Sequence, residues 1–194
     1  KNGCFNIMDY SSRTIDVYDN VLEPHVWEFI QLSMKECRWK YDYYSHKKHP
    51  NKHWHIFCGH NPKEVVENGY EWVIPLWETA KIKYNFKDKY ALDDFVRIYM
   101  NAHTYGIEPQ PHTDDGDFTL LYYPRGDWQE EWGGGTIIAG DHVSYVGNRL
   151  VVFDAHLLHQ AQPIVKECYE LRSVIVIKAN LSAGGVNRLD FYQN

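Results

Sequence analysis

Apolar residues in this chain recur in two rhythms, and the change from one to the other falls near residue 94. In the first part, Val26, Phe29, Ile30 and Met34 return at helical spacing behind Asp19-Asn20-Val21-Leu22, and Pro24 suits a first helical turn, so a helix is predicted over about 23–37. Asn61-Pro62 opens a short helix by cap-and-proline logic, and Pro75 starts another in which Leu76, Ala80 and Tyr84 share one face. These helices are expected to cover one side of a sheet. Residues 38–60 read as irregular and gather His46, His49, His53, His55 and His60 near Cys58. Their spacings match no standard metal site, and Lys47, Lys48 and Lys52 would repel a cation, so a solvated or cleft-rimming loop is expected there.

From Asp94 onward the texture is one of short β-prone segments between turn residues: Phe95–Asn101, Phe118–Tyr123, Thr136–Ala139, Val143–Val146, Arg149–Phe153, Leu157–Ile164 and Leu171–Ala179. Gly140-Asp141 and Gly147-Asn148 punctuate them as hairpin turns do. The fold class this implies is mainly β with N-terminal helices, an α+β arrangement built on a double-sheet jelly roll of the cupin kind. At 194 residues a single domain over 1–194 is expected, with a helical support region over about 1–93 and a jelly-roll core over about 94–180.

Composition narrows the function classes. The four cysteines, Cys4, Cys37, Cys58 and Cys168, lie far apart with no Cys-x-x-Cys pair, which argues against a zinc ribbon or a secreted disulfide scaffold and for a reducing cytoplasm. No run approaches the roughly 18 apolar residues of a membrane helix, and no signal-peptide pattern is present. A formal net charge of −6 gives no general attraction to nucleic acid or to an anionic membrane. Aromatic residues, at 15%, suit a β-rich core and an aromatic-lined cleft equally.

The chemistry concentrates in Pro111-His112-Thr113-Asp114-Asp115-Gly116. In extended backbone, side chains at i and i+2 point the same way, so His112 and Asp114 can share one metal. Alone, a His-x-Asp pair is a weak signal, equally at home in a polar turn. If His159 joins from another strand, the set becomes two histidines and one carboxylate, the facial arrangement that leaves positions open on Fe(II). Further on, Arg172 stands between Leu171 and the run Val174-Ile175-Val176-Ile177. A charge in such surroundings wants a partner, and a guanidinium can hold a carboxylate through two parallel hydrogen bonds.

Taken together, six stretches resemble the Fe(II)/2-oxoglutarate-dependent oxygenases of the prolyl-hydroxylase branch, including the hypoxia-sensing prolyl hydroxylases. They are Arg97-Ile98-Tyr99-Met100-Asn101, Pro111-His112-Thr113-Asp114, Thr119-Leu120-Leu121-Tyr122-Tyr123 with Asp127-Trp128, Trp132-Gly133-Gly134, Leu157-Leu158-His159 with Pro163, and Leu171-Arg172-Ser173. The resemblance covers roughly the C-terminal half and implies a double-stranded β-helix. It makes His112, Asp114 and His159 the iron ligands, with His156 as the internal rival for the last place. It makes Arg172 the partner of the distal carboxylate of 2-oxoglutarate, Tyr123 a hydrogen-bonding tyrosine on that carboxylate, and Tyr99 a residue near the co-substrate's other end. Either tyrosine could instead be a core aromatic. The implied cofactors are Fe(II), 2-oxoglutarate and O2, with ascorbate as an accessory reductant. The implied activity is hydroxylation coupled to decarboxylation of 2-oxoglutarate to succinate.

Departures from the family pattern bear on the substrate. The span from His159 to Arg172 is longer than usual, implying an extended hairpin through Val165–Glu170, and Lys178 stands where several relatives carry an aromatic. The nucleic-acid demethylase branch typically has a second arginine at that place, so nucleic acid ranks below a peptide, protein or small-molecule substrate. A prolyl or other peptidyl hydroxylase is expected first and a small-molecule (amino acid) hydroxylase next. A cupin-type metalloprotein without 2-oxoglutarate chemistry, and a binding module with a degenerate site, are the other classes.

Overall fold

The computed structural model describes residues 14–44 and 51–182, so Cys4, His46, His49, Lys47 and Lys48 lie outside the described residues. The chain runs β1 (Ile15–Tyr18), α1 (Pro24–Lys35), β2 (Lys40–Tyr43), β3 (His53–Gly59), α2 (Pro62–Glu67), α3 (Ile74–Lys83) and α4 (Phe86–Tyr90). It continues with β4 (Phe95–His103), β5 (Phe118–Tyr123), β6 (Thr136–Ile138), β7 (Asp141–Val143), β8 (Arg149–Asp154), β9 (His159–Ala161) and β10 (Arg172–Ala179). Among the described residues no helix is long and apolar enough to cross a membrane.

The strands form a seven-stranded sheet in the order β1-β8-β5-β10-β4-β3-β2 and a three-stranded sheet in the order β7-β6-β9. Every pairing is antiparallel. Strand alternation gives the large sheet two different faces. Its outer face carries Ile98, Met100, Leu120, Tyr122, Leu150, Val152, Ile175 and Ile177, which pack with Ile30 and Met34 of α1, Leu76, Trp77 and Ala80 of α3 and Phe86 of α4. The helices thus cover one side of a sheet, as their apolar spacing predicts. Each fully buried aliphatic in that layer contributes on the order of 1.5–3 kcal/mol. The inner face supplies Leu121, Val151, Phe153, Val174 and Val176, which meet Ile138 and Val143 of the small sheet in a second core.

Helix starts follow their local signals closely. Asn61 caps α2 by accepting from the Glu64 amide at 3.0 Å, and prolines sit in the first turns of α1, α2 and α3. In α1 the buried positions are Ile30 and Met34, while Phe29, expected on the apolar face, is exposed. Most strands fall where β-prone runs predict them, with β5 spanning Phe118–Tyr123 as expected. Two segments shrink: Val143–Val146 becomes β7 at Asp141–Val143, and Leu157–Ile164 becomes β9 at His159–Ala161.

The largest correction concerns residues 38–60, read as irregular but forming β2 and β3 on one flank of the large sheet. β3 pairs directly with β4, placing Trp54 opposite Ala102 and His55 opposite Asn101. Its alternation is real but inverted in polarity, because His53 and His55 point to the same inner face as Asn101 and His103 while Ile56 and Cys58 pack outward. His53 is therefore buried rather than solvated.

Candidate metal centre

His112 and His159 lie side by side through a two-way backbone bridge, the His112 amide donating to the His159 carbonyl at 3.0 Å and the reverse at 2.9 Å. Residues 111–115 form no strand of their own. The Asp114 amide donates to the Ala155 carbonyl at 2.8 Å, so the segment stays laid against β8 and β9 and the expected same-side placement of His112 and Asp114 is kept. One ligand atom from each of His112, Asp114 and His159 falls within 4.8 Å of the others. His159 Nε2 is 3.2 Å from Asp114 Oδ2, and His112 Nε2 is 3.9 Å from Oδ1. His156, the rival from the same turn, is exposed and outside this group.

Both imidazoles have their tautomer set by backbone. His112 Nδ1 lies 2.9 Å from the Gln110 carbonyl and His159 Nδ1 lies 2.8 Å from the Leu157 carbonyl. A carbonyl can only accept, so each Nδ1 carries the hydrogen and each Nε2 presents its lone pair to the centre. Burial pushes the His112 pKa down against the help of the Gln110 carbonyl, with His159 also disfavouring its charge. Burial opposes ionisation of Asp114, but the Lys178 ammonium, through its charge and its hydrogen bond, outweighs it and holds the carboxyl well below the usual range. Two neutral imidazole nitrogens and one carboxylate form a donor set suited to Fe(II) with positions left for other ligands.

Arg172 opens β10 and is almost fully buried. Its Nε donates to the Gly134 carbonyl, and its Nη2 donates to the Gly135 carbonyl and Thr136 Oγ1, both at 3.3 Å. Gly134 has a left-handed φ of 75°, and a Cβ there would come within 3.2 Å of Arg172 Cδ, so glycine is what lets the guanidinium lie against this turn. Among the described residues no carboxylate pairs with Arg172, and burial lowers its pKa. Arg172, Thr136 and the His-Asp-His group line one cavity, with Leu121, Phe153, Val174 and Val176 as its apolar lining.

The two candidate tyrosines differ in placement. Tyr99 lines the cavity, and burial, reinforced by the Asp114 charge, pushes its pKa up. Tyr123 is fully buried behind the wall, where it donates to Thr136 Oγ1 at 2.7 Å and lies beside the Arg172 guanidinium, reaching the cavity through these two lining residues.

Sequence reasoning missed several residues of this site. His53, Asn101 and His103 form a polar wall on β3 and β4, where His53 Nε2 and His103 Nδ1 are buried with no hydrogen-bond partner among the described residues. Burial lowers the His53 pKa to about 4, with His55 adding to the effect, and burial also holds that of His103 well below the usual imidazole value with help from Arg172. On the opposite side Lys178 donates to Asp114 Oδ2 and, at 2.7 Å, to Thr119 Oγ1, while Thr119 donates to the same carboxylate oxygen at 2.8 Å. The signal available was alternation along β10, which puts Lys178 on the face of Arg172.

No family model matches the sequence, and no curated protein matches it. Solved structures do. A Pseudomonas putida prolyl-4-hydroxylase aligns with a TM-score of 0.60 at 13% identity, covering 87% of this chain and 94% of that one. A Trichoplax adhaerens prolyl hydroxylase, solved with a hypoxia-inducible-factor peptide fragment, aligns at 0.58 and 14%, covering 86% and 83%. A Burkholderia pseudomallei oxidoreductase of the 2OG-Fe(II) oxygenase family aligns at 0.64 and 11%, covering 88% and 87%. At these identities the likeness is one of fold: the chain has the jelly roll, or double-stranded β-helix, of these oxygenases, which is the fold class its strand pattern predicts.

Proposed function

We propose that this chain is an Fe(II)- and 2-oxoglutarate-dependent dioxygenase that hydroxylates a peptidyl substrate, prolyl or another. The observation that carries the reading is the presence, in one cavity, of a His-Asp-His donor set and a buried arginine that has no carboxylate partner among the described residues. His112, Asp114 and His159 would hold the iron, their Nε2 lone pairs held inward by the Gln110 and Leu157 carbonyls. An unpaired buried guanidinium is costly, and a dicarboxylate ligand would bring Arg172 the partner it lacks. Thr136 lies within reach of the same carboxylate, and Tyr123 fixes the Thr136 hydroxyl from behind.

With iron, 2-oxoglutarate and O2 bound, the chemistry supplied is oxidative decarboxylation to succinate and CO2 coupled to hydroxylation of the substrate. The chain itself contributes binding, orientation and exclusion of water. Leu121, Phe153, Val174 and Val176 keep the cavity dry around the reacting groups. Tyr99 and the wall of His53, Asn101 and His103 face the same space and contribute uncharged polar contacts. We place the enzyme in a reducing cytoplasm, in keeping with Cys37, Cys58 and Cys168 as free thiols.

The test is succinate release from 2-oxoglutarate in the presence of Fe(II), ascorbate and O2 across a panel of proline-containing peptides, other peptides and free amino acids. Succinate formed with a peptide and a matching 16-dalton gain on that peptide is expected. A visible charge-transfer band should appear when 2-oxoglutarate is added to the anaerobic Fe(II) protein. Iron binding without that band would instead favour a cupin-type metalloprotein.

A further inference from the structure

Lys178 is the one lysine buried among the described residues, with 1% of its surface exposed. The β10–β5 register sets it opposite Thr119, and strand alternation turns both to the inner face of the sheet, where Thr119 lines the cavity and Lys178 lies behind it. The three groups close a ring: Lys178 Nζ donates to Asp114 Oδ2 and Thr119 Oγ1, and Thr119 Oγ1 donates to Asp114 Oδ2. An amine buried this deeply needs an anionic partner, and Asp114 is the carboxylate it reaches. Both donors fall on the same oxygen, Oδ2, which His159 Nε2 also approaches at 3.2 Å, whereas His112 Nε2 faces Oδ1, an oxygen that neither donor of the ring touches.

We propose that Lys178 and Thr119 form a clamp on the metal-binding carboxylate that sets how Asp114 meets the metal and how strongly the centre attracts an anionic co-substrate. With Oδ2 held by two donors, Asp114 offers the metal one oxygen, and the coordination position a two-oxygen grip would fill stays open for a chelating ligand. The fixed charge acts alongside. Lys178 cancels the charge of Asp114, so a divalent metal and Arg172 together present an excess of positive charge to a dicarboxylate. The clamp thus weakens metal binding and strengthens co-substrate binding. Lys178 is a positioning residue in this scheme, and the inference rests on reading the His-Asp-His group as a metal centre.

Opposite-signed shifts are the signature, because damage to the fold alone would weaken both affinities together. Co(II) affinity is measured by competition against a chelator, and 2-oxoglutarate affinity by titration of the Co(II)-loaded protein, so neither readout needs turnover. In Lys178→Met, Co(II) should bind tighter and 2-oxoglutarate weaker, each on the order of tenfold, as expected for removing one charge from a low-dielectric site. The visible Co(II) bands should also change in intensity as Asp114 gains freedom to use both oxygens. Thr119→Val, which keeps the shape of the side chain, should move both affinities in the same directions by a smaller factor, and it carries the test if Lys178→Met does not fold. Lys178→Arg should keep most of the 2-oxoglutarate affinity. Unchanged affinities, or a parallel loss of both, in a variant whose wild-type parent binds Co(II) would overturn the clamp and leave the metal centre standing. A wild-type protein that binds no Co(II) would overturn both.

Discussion

On β10 the outward residues Ser173, Ile175, Ile177 and Ala179 face the helices, the inward residues are Arg172, Val174 and Val176, which line the cavity, and Lys178, which lies behind its lining against Asp114 and Thr119, and all eight are buried. Both sets lie in the same dry interior and behave oppositely. The outward apolar side chains Ile175, Ile177 and Ala179 are energetically complete, since apolar neighbours satisfy them. Inward charged groups are complete only in part: Lys178 has Asp114, while Arg172 has carbonyls and a hydroxyl but no anion among the described residues. The difference teaches that burial alone does not separate scaffold from site. The partner each polar atom has, or lacks, does.

Mutations should therefore separate cleanly by face. The largest effect is expected for Asp114→Ala, with His159→Ala close to it: both should lose tight Fe(II) binding and all turnover while the circular-dichroism melting profile stays cooperative, and wild-type succinate production by either would break the division. On the outer face Ile177→Ala should cost about 2–5 kcal/mol of stability by urea denaturation, with metal affinity in the folded fraction unchanged. Arg172→Ala should remove charge-assisted hydrogen bonds of about 1.5–3 kcal/mol, raising the KM for 2-oxoglutarate by roughly one to two orders of magnitude with little change in Fe(II) affinity. If instead iron binding fell and the response to 2-oxoglutarate stayed normal, Arg172 would belong to the scaffold.

Acid should act on the inner face. The His53 pKa is lowered from 6.5 to about 4 by burial, then by its charged neighbours. Between those values the unfolded chain takes up a proton that the native state refuses, so stability is intact above pH 6.5 and falls as pH drops below it. The loss from His53 alone amounts to about 2 kcal/mol between pH 6.5 and 5, with His103 acting in the same direction. The urea midpoint should drop accordingly, and His53→Phe should flatten the dependence. The smallest effect is expected for His156→Ala, an exposed neighbour of the centre, whose activity should stay within about twofold of wild type.

Much of this division was legible in advance. The outer face announced itself through apolar spacing, and His112 with Asp114 through the i, i+2 rule. Arg172 stood out as a charge in an apolar run. What stayed hidden depended on partners far along the chain. β3 reads as a polar loop because His53 and His55 look solvated until β4 is laid beside them. α4 is only five residues long and is bracketed by left-handed Asn85 and Ala91, a geometry no periodicity signals. Thr119 and Lys178 are 59 positions apart, and only the register of β5 against β10 makes them neighbours. Phe29 misled for the opposite reason, keeping helical spacing on a face that has no layer over it.

The position of β10 also matters to how the protein is made. It is the last strand of the described chain to leave a ribosome, yet it sits in the middle of the large sheet, between β5 and β4. Until it emerges, β4 and β5 each hold an open edge able to pair with a stranger, so the nascent chain passes through a stage prone to aggregation. Its pairing with β4 also spans most of the second half of the chain, which makes the closing step slow relative to local helix formation. A product cut short before Arg172 would lose the keystone of the sheet along with both inward cations, and quality control would meet a sticky fragment that keeps the three metal donors without the strand that completes their cavity.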